Sequence, residues 1–76
     1  MAIHLQESAL DRAEREAAEY RFATSTLVDV RTVAIVSGQA ERVVRNAIAD
    51  GIIPTVRIGR SIRVPVAALK RTWGLD

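Results

Sequence analysis

Arg42, Arg45, Asn46 and Ala49 recur at the three- and four-residue spacing that gathers side chains on one face of a helix. Val43, Val44, Ala47 and Ile48 then fall on the opposite face, the one a core would take. The polar set has a definite chemistry. An arginine fork matches guanine O6 and N7, an asparagine amide matches adenine N6 and N7, and a small Ala49 lets the helix lie close in a major groove. Arg57, Arg60, Ser61 and Arg63 form a second group, interleaved with Val56, Ile58, Ile62 and Val64. Cationic side chains on such a ribbon suit phosphate contacts or a narrow minor groove. Neither group is specific alone, because arginines on a short helix also serve as solvated surface and charges on a hairpin also protect a sheet edge. Their combination points to a polyanion.

Other chemistry is thinly supplied. His4 is the single histidine and there is no cysteine, so thiolate metal sites and disulfides are excluded and a metal role for His4 is not expected. Ser8, Ser25, Ser37 and Ser61 have no candidate base beside them. Glu14, Glu16 and Glu19 read as the solvated face of a helix, and no glycine-rich phosphate loop is present. The expectation is a binding protein rather than an enzyme, with no cofactor.

The elements that must position these groups are punctuated clearly from Leu27 onward. Asp29 can cap a short helix over about residues 30–36, with Val33 and Val36 facing inward. Ser37-Gly38-Gln39 supplies a tight turn, and a second helix over residues 40–50 stops at Gly51, with Pro54 beyond it. The alternation on either side of Gly59-Arg60-Ser61 predicts a β-hairpin. In that reading Val56, Ile58, Ile62 and Val64 face the core, Arg57 and Arg63 project from the other face, and Arg60 sits near the tip. Pro65 opens a last helix through Thr72, where Leu69 and Trp73 close the core and Gly74 ends it.

Residues 4–22 lack Gly and Pro and are rich in Ala, Glu, Arg and Leu, which predicts a helix. Its apolar stripe runs through Ile3, Leu10, Ala13, Ala17 and Tyr20, and residues 23–26 read as a linker. The organisation expected is thus an N-terminal helix and linker over 1–26 and a domain over 27–76.

Seventy-six residues allow one small core. The net charge of +2 hides an asymmetry: residues 1–26 carry three arginines against five carboxylates, and residues 27–76 carry eight basic groups against four acidic ones. An anionic polymer would therefore sit on the second part. The absence of a basic-then-apolar leader, of an apolar run of membrane-spanning length and of cysteine fits a cytoplasmic protein without a membrane partner.

Residues 27–73 resemble the excisionase and MerR-like winged helix-turn-helix domains. The likeness is carried by Val33-Ala34, Gly38, Val43-Val44 through Gly51, Ile53-Pro54, the run Val56-Arg57-Ile58-Gly59-Arg60, Arg63-Val64-Pro65 and Leu69. It departs at Ala40, where a Ser or Thr cap is usual, and at Ser37, where a large apolar residue is usual, leaving Ser37 as an alternative cap. The resemblance implies an α+β fold, mostly α: a helix-turn-helix, a β-hairpin wing and a closing helix, here with an extra N-terminal helix. It further implies double-stranded DNA as partner, read by Arg42, Arg45, Asn46 and Ala49 and gripped by Arg57, Arg60, Ser61 and Arg63. The function implied is a recombination directionality factor of a phage or mobile element, binding and bending DNA to control an integrase in a bacterial host. Two alternatives stand beside it. One is a small dimeric MerR-like transcription regulator that self-associates through residues 4–22; the other is a protein-interaction module acting through that helix.

Overall fold

A computed structural model describes residues 8–74. The first helix, α1 (Ala9–Thr24), begins at Ser8, whose Oγ accepts a hydrogen bond from the Asp11 backbone N–H at 3.0 Å. Asp11 in its first turn and Arg21 in its last match the helix dipole. The expected start at residue 4, and Ile3 and His4 with it, lie outside the described residues. At the other end the expected linker is shorter, since Ala23 and Thr24 continue the helix.

The apolar stripe expected on α1 is not its buried face. Ala18 and Phe22 are buried, whereas Leu10, Ala13, Ala17 and Tyr20 are exposed. Two aromatic rings compete for the core, and Phe22 carries no polar atom whereas the Tyr20 hydroxyl keeps its bonding to water on the exposed side, so Phe22 decides the rotation of the helix. The Lys70 ammonium lies 5.9 Å from the centre of that ring.

A two-residue strand, β1 (Leu27–Val28), was not expected from the sequence. It is followed by α2 (Val30–Ser37), capped as expected: the Asp29 carboxylate accepts from the Thr32 backbone N–H at 2.9 Å. Burial raises the Asp29 pKa, but the hydrogen bonds from Thr32 and the nearby Arg21 and Arg63 charges outweigh it, so the carboxyl is held below its ordinary value. A depressed carboxyl pKa contributes stability above the unfolded value and loses it as pH falls through the folded one. Asp29→Ala is expected to cost about 0.5–2 kcal/mol in urea unfolding at neutral pH. The difference from the parent protein should vanish well below the ordinary value of 3.8, and a cost that persists there would assign the effect to something other than the charge.

Gly38 ends α2 at φ +73°, where its N–H reaches the Ile35 carbonyl and the Gln39 N–H reaches the Ala34 carbonyl. That paired closure requires a left-handed residue, which Gly supplies without a Cβ clash. The next helix, α3 (Glu41–Ala49), starts at Ala40 with no side-chain cap, so Ser37 does not take that role and stays within α2. Gly51 and Ile52 repeat the same closure on the Ile48 and Ala47 carbonyls. Val44 and Ala47 are buried as expected and Ile48 packs against the core. Val43 is the exception, 38% exposed.

Strands β2 (Val56–Ile58) and β3 (Ser61–Pro65) form the expected hairpin, and β3 also pairs with β1, giving a three-stranded antiparallel sheet of order β1-β3-β2. The register differs from the sequence expectation by one residue. Ile58 pairs with Ser61, Arg57 with Ile62 and Val56 with Arg63, so the loop is Gly59-Arg60 alone. Gly59 has φ +61° and no non-glycine residue among those described has positive φ, the arrangement of a two-residue turn with glycine first. A one-residue change in register turns every partner to the other face. Arg57 therefore shares a face with Ile62, and Arg63 shares the other with Val56 and Ile58. Val64 is fully buried, but Val56 and Ile58 are 41% and 55% exposed rather than part of the core.

Pro65 ends β3 instead of opening the last helix, and α4 (Val66–Trp73) closes at Gly74. The fold is α+β and mostly helical, four helices and one sheet among the described residues. Its core joins Phe22 of α1, Val28, Val33, Val44, Ile53, Val64 and Leu69, with Val36 and Trp73 packed against it. No helix among the described residues is long and apolar enough to cross a membrane.

Candidate nucleic-acid interface

Helix α3 presents Arg42, Arg45, Asn46 and Ala49 together on its exposed side, because Val44 and Ala47 anchor the opposite side in the core. Hairpin β2–β3 is held by β1 on one edge of β3, which fixes where its turn stands relative to the helices. Between them lies a cleft of about 290 Å³, with Val30 and Ile62 as its apolar lining. Four arginines converge there: Arg31 from α2, Arg45 from α3, Arg60 from the hairpin turn and Arg63 from β3. Two carboxylates, Asp29 and Glu41, share the cleft with them.

Ion pairs run across three helices. Arg31 Nη2 lies 2.7 Å from the Glu14 carboxylate of α1, Arg31 Nη1 lies 3.4 Å from Glu41 of α3, and Arg45 Nη2 lies 3.5 Å from Glu41 one turn earlier on its own helix. Hydrogen bonding and charge attraction from Glu14 raise the Arg31 pKa further, so this guanidinium stays charged throughout. All of these groups are partly exposed, and exposed pairs contribute roughly 0–1 kcal/mol each to stability. Their consequence lies in orientation. A second tie between α1 and α2 is the hydrogen bond from Arg21 Nε to the buried Thr32 hydroxyl at 3.0 Å.

Compared with protein-family models, curated proteins and solved structures, the chain matches none.

Of the residues singled out in the sequence, Arg45, Arg60 and Arg63 are brought to the one cleft. Arg42, Asn46 and Ala49 stand on the exposed side of α3 outside its lining, and Ser61 is half-buried on β3. Arg57 is exposed on the hairpin face opposite to Arg63, so the ribbon does not carry its arginines on one side. Sequence reasoning did not find Arg31, nor the carboxylates Glu14 and Glu41 that hold it. The four-residue spacing of Glu41 and Arg45 is a readable helix pair, but nothing local announces that Arg31 meets a residue 17 positions earlier. No cluster of three or more His, Asp or Glu side chains placed to hold a metal ion occurs among the described residues. What the cleft can do is electrostatic: guanidinium forks from several elements offer bidentate donors to phosphate oxygens.

Proposed function

We propose that the protein is a double-stranded DNA-binding domain of winged helix-turn-helix type. In this reading α2, the Gly38 turn and α3 are the helix-turn-helix, α3 enters the major groove, hairpin β2–β3 is the wing, and α4 closes the core. The observation that carries it is the convergence of Arg31, Arg45, Arg60 and Arg63 on one cleft beside the exposed Arg42 and Asn46. The role is binding in the cytoplasm, not catalysis. Titration of a labelled duplex across a salt series tests it: the log-log slope should be about −0.9 for each phosphate neutralised. A slope near zero, or no binding at low salt, would sink the proposal and favour an interaction module acting through α1.

Within DNA binding, the resemblance of residues 27–73 to excisionases supports a recombination directionality factor that bends DNA and works with an integrase. Electrophoretic bending assays and the direction of integrase-mediated recombination test that role directly. A dimeric transcription regulator is the second reading, favoured by the exposed stripe on α1, where Leu10 and Tyr20 are 79% and 70% exposed. Sites selected from random duplexes separate the two, since a palindrome follows from a two-fold dimer and tandem repeats from a row of monomers.

A further inference from the structure

Arg31 is held by two carboxylates that differ in every respect that matters to a ligand. Glu14 belongs to α1, lies outside the cleft lining and grips Nη2 at 2.7 Å. Glu41 stands inside the cleft, at the start of α3, and touches Arg31 and Arg45 at the longer distances of 3.4 and 3.5 Å. A phosphate oxygen reaching these arginines enters the space that the Glu41 carboxylate occupies and offers them the same donor-to-anion geometry. It need not disturb the Glu14 pair, which leaves Arg31 aimed at the cleft after Glu41 has gone.

Taking the DNA-binding reading as its basis, we propose that Glu41 is an internal competitor for a DNA backbone phosphate, displaced from Arg31 and Arg45 on binding, while Glu14 is the positioning residue that keeps Arg31 ready. Glu41 then lowers affinity for every duplex and restrains non-specific binding, because each complex must break its two ion pairs. Glu14 has the opposite effect, since a guanidinium already oriented loses less freedom on meeting the phosphate. The α1 helix thereby acts on the cleft through one ion pair.

Glu41→Gln and Glu14→Gln test this as a pair, because each removes one negative charge and shifts the long-range attraction for DNA equally. Both are titrated with a labelled random-sequence duplex over a salt series, with thermal melting by circular dichroism to verify folding. Glu41→Gln is expected to bind about fivefold tighter at low salt. Its salt slope should stay close to that of the parent, because the parent neutralises the same phosphate once Glu41 has been displaced. Glu14→Gln is expected to move affinity by less than about twofold, its gain in net charge offset by the loss of orientation, with no change in slope. Equal tightening by both variants would reduce the effect to net charge and overturn the proposal, as would an unchanged Glu41→Gln. Absence of duplex binding by the parent protein and both variants overturns the DNA-binding reading itself, an outcome distinct from the other two.

Discussion

Phe22→Ala is expected to destabilise the protein by about 3–5 kcal/mol. Phe22 is the only phenylalanine, it is 6% exposed, and it is the one large apolar side chain that α1 contributes to the shared core. Small domains have total stabilities of about 5–15 kcal/mol, so the loss removes a large share of what holds this chain folded. Truncation also removes the ring beneath Lys70. Guanidinium unfolding followed at once by far-ultraviolet circular dichroism and by the single tryptophan, Trp73, should show one coincident transition shifted to lower denaturant. Tyr20→Ala, on the exposed side of the same helix, should stay within about 0.5 kcal/mol of the parent. If Phe22→Ala instead melts α1 in a separate early phase and leaves the tryptophan transition in place, then α1 is an appendage to a core that stands without it.

The contrast between Phe22 and Tyr20 also bears on what was legible in the sequence. Elements with a chemical stop or start were readable: Asp29 caps α2, Gly38 and Gly51 close the helices before them, and Leu69 and Trp73 turn inward as the spacing predicts. Helix α1 was legible as a helix and not as a rotation, because the heptad spacing of Leu10, Ala13, Ala17 and Tyr20 marks one stripe whereas the core takes Ala18 and Phe22, the ring without a hydroxyl. The two residues of β1 carry no period of their own and are made a strand by pairing with Val64 and Pro65 of β3.

The hairpin shows most specifically where periodicity fails. Val56-Arg57-Ile58 and Ile62-Arg63-Val64 are symmetric about Arg60, so periodicity alone places Ile58 opposite Ile62 and both arginines on one side. Turn chemistry overrides the symmetry: Gly59 takes positive φ, the loop shortens to two residues and Ile58 meets Ser61. A closer weighting of glycine-first turns would have found this register. The ion pairs at Arg31 were beyond reach, since they depend on three helices arriving at one place.

The altered register sharpens a second large effect, on DNA recognition under the proposed function. Arg42→Ala and Asn46→Ala are each expected to cost about 1–3 kcal/mol toward the preferred site while hardly changing affinity for random sequence, because they remove hydrogen bonds to base edges. Arg60→Ala and Arg63→Ala remove donors from the cleft and should weaken every duplex alike, with the salt slope less steep by about 0.9 for each phosphate no longer neutralised. Arg57→Ala separates the observed hairpin from the symmetric one. With all arginines on one side it would match Arg63→Ala, but Arg57 lies on the other face of the ribbon and outside the cleft lining, so its loss should change affinity by less than a factor of about two, the effect of one surface charge that holds no phosphate in the cleft. Competition titrations of the five variants against a selected site and a random duplex read both quantities. If Arg57→Ala and Arg63→Ala prove equally damaging, the duplex must touch both faces of the ribbon, and the hairpin would have to enter a groove rather than lie along the backbone.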